Sequence, residues 1–157
     1  MTVIAYRNGI LACDSLWTCG GLKILWQKKV VRLSSGALFG DSGDADNRAL
    51  IELVDQVATS EDLPSVDELA AIRGASKSLL IFPDGYGWVI ATPGTDKHSD
   101  DCGVYPAFTK RQEFAAVGAG EQLAIGAMEM GASAVEAVKV ACRRNAYCGL
   151  PVHELEL

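Results

Sequence analysis

The first fourteen residues constrain the fold more than any other stretch, because they predict a tight β-hairpin. Asn8-Gly9 separates two apolar, β-prone segments at residues 2–7 and 10–14. Asn-Gly is the strongest short-range hairpin signal, since a type I′ turn needs positive φ at both of its central residues. The chain therefore begins with two adjacent antiparallel strands.

A two-residue turn also fixes the register of these strands. Arg7 then lies opposite Ile10, and Ile4 lies opposite Cys13. The same register places Thr2 diagonally beside Asp14, within reach for side-chain contact. If Met1 is removed, the Thr2 hydroxyl and a free α-amine belong to one residue, so a nucleophile and a base need no second residue to meet.

Size, charge and apolar patterning exclude several classes of protein. A chain of 157 residues, 49% of them hydrophobic, predicts one domain over residues 1–157 with a sizeable core. The net charge is −6, and basic residues that adjoin one another form short pairs such as Lys28-Lys29, not a stripe, which argues against a nucleic-acid partner. No apolar run reaches the length of a membrane span.

Cysteine usage and the start of the chain point to the cytoplasm. The five cysteines are an odd number and form no CxxC pair, which favours free thiols in a reducing compartment. The amino terminus enters a strand pattern directly, so no signal peptide is expected.

The remaining pattern alternates between groups of strands and groups of helices. Residues 93–112 are rich in glycine, proline and aspartate, which predicts a long loop. Ser65 with Glu68 and Ser133 with Glu136 are capping-box pairs that open helices. Apart from the hairpin, we predict strands at 29–33, 37–40, 78–82, 88–91, 114–118 and within 150–157, and helices at 44–58, 66–72, 121–130 and 134–147.

Finer features of the helices are also predictable. Asp44 and Asp46 suit the positive end of the first helix dipole. The helix at 121–130 is expected to place Leu123, Ala127 and Met130 on one face, with Gly131 as its C-terminal cap.

This order of elements predicts an α+β fold with antiparallel sheets and segregated helices. Two sheets between two helical layers would fit the pattern. One sheet with helices on a single face would fit equally well, and periodicity does not choose between them.

Four stretches of the chain resemble the proteasome β-type subunit family, in particular its HslV-like members. They are residues 2–15, 28–33, 40–46 and 117–120, in the family's order. The resemblance implies an N-terminal nucleophile (Ntn) hydrolase fold, which is a four-layer αββα sandwich. It also implies a threonine peptidase whose nucleophile is the first residue of the mature chain.

The resemblance assigns a role to each matching residue. Both arms of the hairpin are two residues shorter than in the family, and a symmetric loss preserves the register, so Thr2 takes the nucleophile position after Met1 is removed. Lys29 matches the active-site lysine, and Asp14 matches its counter-ion. The backbone N–H of Gly43 matches the donor that stabilises the oxyanion.

The chain departs from the family at two positions near this site. Ala119 replaces a serine that assists proton handling near the amine. Asn145 and Cys148 replace an aspartate and a serine at the end of the last helix. By resemblance, the backbone carbonyls of Cys142, Asn145 and Cys148 could bind a structural Na⁺, K⁺, Mg²⁺ or Ca²⁺ ion, and no other cofactor is expected.

The resemblance further implies unfolded protein or peptide substrates, homo-oligomeric stacked rings and an AAA+ ATPase partner. A non-proteolytic subunit with the same fold is the alternative, if Met1 is retained or if Ala119 and Asn145 abolish catalysis.

Three other interpretations follow from the residues themselves. A cysteine nucleophile is possible, although no histidine shares a local motif with any cysteine. The Gly118-Ala119-Gly120 turn is compatible with a phosphate loop, but it lacks the required lysine. Metal-capable residues cluster in the long loop without a recognised spacing, namely His98, Asp100, Asp101 and Cys102.

Overall fold

The structure is a computed structural model that describes residues 2–19, 22–25, 28–43, 48–93, 102–108 and 113–157. Its strands are β1 Val3–Arg7, β2 Ile10–Asp14, β3 Trp17–Cys19, β4 Leu22–Ile24, β5 Val30–Arg32, β6 Leu38–Gly43, β7 Ser76–Ile81, β8 Gly87–Thr92, β9 Gly103–Pro106, β10 Phe114–Gly118 and β11 Val152–Glu156. Its helices are α1 Arg48–Val54, α2 Val66–Ala71, α3 Glu121–Glu129 and α4 Ala134–Arg144. The α+β class with antiparallel sheets is confirmed.

The predicted hairpin forms the centre of a four-stranded sheet with the order β10-β1-β2-β11. Asn8 and Gly9 both have positive φ, at 51° and 82°, as a type I′ turn requires. Arg7 pairs with Ile10, so the predicted register is confirmed. The segment 150–157 supplies β11, which pairs with β2 along the outer edge.

A second antiparallel sheet has the order β5-β6-β7-β8-β9, and β3 and β4 form a separate two-stranded ribbon. The prediction of a continuous loop over 93–112 was wrong at β9, which pairs with β8. Gly103 and Pro106 bound this strand, and proline is tolerated there because β9 lies at the edge of the sheet. Residues 94–101 and 109–112 lie outside the described part.

Three clusters of buried side chains hold the elements together. The first lies between the β10-β1-β2-β11 sheet and helices α3 and α4, and includes Val3, Met128 and Val138. The second lies between the two large sheets and includes Ile4 and Leu79. The third lies between the second sheet and helices α1 and α2. Alternate residues of β1 therefore serve different clusters, as the period of a strand requires.

Two helices end several residues earlier than predicted. α1 ends at Val54, whereas the prediction ran to 58. The predicted start at 44 falls among residues 44–47, which lie outside the described part together with Asp44 and Asp46. α4 ends at Arg144, because Asn145 adopts an extended backbone with φ −110° and ψ 123°. Both predicted capping boxes form at the starts of α2 and α4.

The fully buried row of α3 lies one residue away from the row of Leu123, Ala127 and Met130. Ala124 and Met128 are fully buried, whereas Leu123 is 36% exposed and Met130 is 89% exposed. The helix is apolar on several sides, so periodicity alone could not decide which row faces the sheet. Gly131 has φ 97° just after the helix, as expected for its C-terminal cap.

Among the described residues, no helix combines the length and the apolar character needed to cross a membrane.

Candidate active site

The side chains of Thr2, Asp14 and Lys29 meet at the end of the β1-β2 hairpin that lies away from its turn. Lys29 Nζ lies 2.6 Å from Thr2 Oγ1 and 2.8 Å from Asp14 Oδ1. Thr2 is 4% exposed and Asp14 is fully buried. Lys29 therefore contacts both Thr2 and Asp14, the residues with which the resemblance grouped it, and its ion pair with Asp14 is largely shielded from water.

Asp14 is held by hydrogen bonds on both of its carboxylate oxygens. Oδ1 accepts from Val3 N–H at 3.0 Å as well as from Lys29. Oδ2 accepts from the N–H groups of Leu16 and Gly149, each at 3.0 Å. An ionised carboxylate can accept all four of these hydrogen bonds, whereas a protonated one would have to use one oxygen as a donor.

Lys29 uses its three ammonium protons on three separate acceptors. Besides Thr2 and Asp14, Nζ donates to the carbonyl of Leu16 at 2.6 Å. This arrangement fixes the ammonium in one position, because no proton remains to compete for another partner. Since Thr2 Oγ1 accepts from Lys29, its own hydroxyl proton is directed elsewhere.

The Gly118-Ala119-Gly120 turn packs against the backbone of Thr2. The Gly120 N–H donates to the Thr2 carbonyl at 3.2 Å. Gly118 has φ 98°, and a Cβ there would lie only 2.3 Å from Thr2 O. Glycine is required at this position by both the backbone conformation and the space. The turn therefore supports the backbone of Thr2, which is a different role from binding a phosphate.

Asn145 connects the end of α4 to the same turn. Its Nδ2 donates to the Ala119 carbonyl at 2.6 Å, and its Oδ1 accepts from Tyr147 N–H at 2.8 Å. The orientation of the amide follows from these partners, because a backbone N–H needs an oxygen and a carbonyl needs a donor. An aspartate in this place would put a carboxylate oxygen against the Ala119 carbonyl.

Gly43 lies at the end of β6, where its N–H faces the edge of the sheet nearest Lys29. Two residues earlier, Asp41 N–H donates to Lys29 O at 3.1 Å. Alternate N–H groups of a strand point to the same edge, so the Gly43 N–H shares this direction. A Cβ at Gly43 would lie 2.4 Å from Ser76 Cβ, so glycine is also required by packing between β6 and β7.

Cysteines near the site are poorly suited to act as nucleophiles. Burial raises the pKa of the Cys148 thiol from 9.0 to about 12, and the charge of Asp14 adds to this effect. Burial likewise raises the pKa values of Cys13 and Cys142 to about 11. A thiol attacks as the thiolate, so these groups are almost entirely unreactive at neutral pH.

The raised thiol pKa values predict a loss of stability in alkali. Between pH 9 and about 11 the unfolded chain releases thiol protons that the folded chain retains, so the free energy of unfolding falls as pH rises. Thermal unfolding from pH 8 to 11 should show this decrease. In Cys148→Ala the decrease should be shallower, and an identical slope in that variant would contradict the prediction.

The predicted cation ligands lie in the last turn of α4 and just after it. The Asn145 carbonyl accepts the Cys148 N–H at 3.2 Å. The Cys142 carbonyl belongs to the last turn of the helix, where partial negative charge accumulates. Within the described residues no group of three or more His, Cys, Asp or Glu side chains could hold a metal ion. His98, Asp100 and Asp101 of the long loop lie outside the described part.

Sequence reasoning did not identify three residues that complete the site. Leu16 supplies a carbonyl to Lys29 and an N–H to Asp14. Gly149 donates to Asp14 and accepts from Ser15 N–H at 2.8 Å. Ser42 places its hydroxyl beside Gly118. The first two act through the backbone, which leaves no side-chain signal in the sequence.

The architecture and the length of the chain match several solved structures. BPH from Thiobacillus denitrificans, solved in complex with epoxomicin, is 21% identical with a TM-score of 0.65, and the match covers 99% of this chain and 97% of that chain. Eukaryotic HslV from Trypanosoma brucei is 14% identical with a TM-score of 0.66 over 99% of both chains. A Gly-1 mutant of Anbu from Hyphomicrobium sp. strain MC1 is 13% identical with a TM-score of 0.61, over 100% of this chain and 81% of that chain.

No protein-family profile and no curated protein matches the sequence. The similarity is thus one of three-dimensional structure, extended over nearly the whole chain. The chain has the fold of the HslV-like, proteasome-type structures that its motifs predicted.

Proposed function

We propose that the protein is a threonine peptidase of the N-terminal nucleophile type, with Thr2 as its nucleophile. The observation that carries this proposal is the contact between Lys29 Nζ and Thr2 Oγ1 at 2.6 Å, with Lys29 also bound to buried Asp14. A fixed ammonium beside a hydroxyl stabilises the alkoxide character that develops as the hydroxyl attacks.

The reaction begins when Thr2 Oγ1 forms a bond to the carbonyl carbon of a peptide. The hydroxyl proton passes to the free α-amine of Thr2, whose pKa of about 7.7–8.0 in unperturbed chains leaves a neutral fraction near pH 7. The carbonyl oxygen becomes an oxyanion that accepts from the Gly43 N–H. The α-ammonium then returns the proton to the leaving amine as the peptide bond breaks, and water hydrolyses the ester that remains on Thr2.

This mechanism requires cleavage of the peptide bond between Met1 and Thr2. With Met1 in place the nitrogen of Thr2 is an amide, which cannot accept the proton. Thr2 is small, as is usual for residues before which an initiator methionine is removed. The Thr2 hydroxyl is buried and contacts Lys29, which supports the assignment of Thr2 as the nucleophile.

The three core clusters support a four-layer αββα stack, in which each cluster fills one interface between layers. With this fold, we propose that the subunit assembles into closed homo-oligomeric rings through head-to-tail contacts. Stacked rings would enclose the sites in a chamber, and an AAA+ ATPase would deliver unfolded protein substrates in the cytoplasm.

A monovalent or divalent cation near the end of α4 is a further part of the proposal. Carbonyl oxygens suit Na⁺, K⁺, Mg²⁺ or Ca²⁺, and the Cys142 carbonyl lies at the negative end of the helix dipole. Such an ion would fix the segment that carries Asn145 and Cys148, of which Cys148 packs beside Gly120. It takes no part in the bond-making steps above.

The decisive experiment combines intact mass with peptide hydrolysis. We expect protein produced in cells to lack Met1 and to cleave unstructured peptides, and epoxomicin, with which BPH was solved, is a suitable inhibitor to test. Retention of Met1 together with absent hydrolysis would refute the peptidase. It would favour the non-proteolytic subunit instead, for which the loss of a hydroxyl at Ala119 is the specific argument.

A further inference from the structure

Ser42 lies on the face of β6 that looks toward Thr2. Strand alternation places it on the same face as Leu38 and Gly40. Leu38 belongs to the cluster between the two large sheets, and a Cβ at Gly40 would lie 2.8 Å from Ile4 Cγ2. Two residues further along β6, the side chain of Ser42 therefore points into the gap where β1 begins.

The Ser42 hydroxyl lies beside Gly118, as does the carbonyl oxygen of Thr2. A Cβ at Gly118 would lie 2.6 Å from Ser42 Oγ and 2.3 Å from Thr2 O, so both oxygens border the same small space. Ser42 is partly exposed, and none of the hydrogen bonds found among the described residues involves its hydroxyl. The Ser42 hydroxyl therefore lies close to Ala119, whose side chain has no hydroxyl.

Extending the backbone of β1 by one residue places the main-chain nitrogen of Thr2 on the side of the strand that faces β10. The Thr2 carbonyl points toward β10, because it accepts from Gly120 N–H at 3.2 Å. In extended backbone, the N–H and C=O of one residue point to the same side of the strand. After maturation the α-amine of Thr2 would therefore lie on the side of Thr2 that Ser42 borders.

We propose that Ser42 is a positioning residue whose Oγ accepts a hydrogen bond from the mature α-amine of Thr2. This inference rests on the proposed function and names the group that orients the base of that reaction. It gives β6 a second contribution to the site, adjacent in sequence to the Gly43 N–H. The Ser42 hydroxyl would replace the hydroxyl that Ala119 lacks. It comes from β6, which belongs to the other large sheet.

Ser42→Ala tests the proposal in the mature protein. We expect kcat to fall about tenfold, as the loss of one orienting hydrogen bond implies. The pKa of the Thr2 α-amine should fall as well, because an acceptor that favours the ammonium is lost. The acidic limb of the kcat/KM profile should then move to lower pH, and NMR titration of ¹⁵N-labelled threonine should show the same direction without relying on turnover.

Two further variants separate positioning from folding. Ser42→Thr keeps a hydroxyl and should retain the wild-type pH profile. Ala119→Ser introduced into Ser42→Ala should recover most of the lost rate. It supplies a new hydroxyl to the Thr2 α-amine, from the residue that follows β10. Ser60→Ala, in an exposed loop, serves as the control for a serine substitution.

An unchanged pH profile and an unchanged amine titration in Ser42→Ala would overturn the inference, even if hydrolysis depends on Thr2. Hydrolysis that survives in Thr2→Ala would overturn the proposed function itself, and with it the role of Ser42. The two failures are distinguishable because the first leaves Thr2-dependent hydrolysis intact.

Discussion

Replacing Asp14 by alanine is expected to lower the free energy of unfolding by about 3–5 kcal/mol, the usual cost of leaving one member of a buried ion pair without its partner. Asp14 is fully buried, and the Lys29 side chain is only 9% exposed. The variant would also leave the N–H groups of Val3, Leu16 and Gly149 without their acceptor. Urea denaturation at neutral pH measures the change through the shift in midpoint.

Two comparisons make the Asp14 experiment specific. Asp67→Ala removes an exposed carboxylate from the first turn of α2 and should change stability by less than about 1 kcal/mol. Adding Lys29→Met to Asp14→Ala should restore part of the loss, because the unpaired ammonium is gone. If Asp14→Ala costs no more than Asp67→Ala, the carboxylate is not the support that its hydrogen bonds indicate.

Thr2→Ala should reduce peptide hydrolysis by at least about 10³-fold, since the variant has no atom to attack the substrate. Its stability should change by only about 1 kcal/mol, the usual net contribution of a hydrogen bond such as the one that Thr2 accepts from Lys29. Steady-state hydrolysis of a fluorogenic peptide gives the rate, and intact mass shows that Met1 has been removed from both proteins.

Thr2→Ser is the matched control for this loss. It keeps the hydroxyl and the α-amine, so we expect its rate to remain within about tenfold of the wild type. Thr2→Ala that hydrolyses peptides as fast as Thr2→Ser would show that another residue attacks the substrate. The raised thiol pKa values leave Cys13, Cys142 and Cys148 poor candidates for that role.

The features that follow from local sequence were predicted correctly. Asn8-Gly9 defines the hairpin because its turn type depends on two adjacent residues. The capping boxes at Ser65 and Ser133 likewise depend on residues only three apart. Such signals are complete within a few residues, so tertiary structure does not alter them.

Features that depend on distant neighbours were predicted less well. β9 forms only because β8 offers it an edge, and its glycine and proline content resembles a loop. The buried row of α3 is chosen by the sheet beneath it, where the small side chain of Ala124 allows close packing. In the site, the pairing of Lys29 with Asp14 came from family resemblance, whereas the backbone contributions of Leu16 and Gly149 are visible only in three dimensions.

The hydrogen bonds of Asp14 also tie the two extremes of the chain to one point. Val3 follows Thr2 directly in the sequence, and Gly149 lies between α4 and β11, yet both donate to this carboxylate. Detachment of β11 would therefore weaken the hydrogen bond from Gly149 to Asp14, the carboxylate that holds Lys29 in place. The attachment of the carboxy-terminal segment therefore helps to determine how rigidly Asp14 and Lys29 are held beside Thr2.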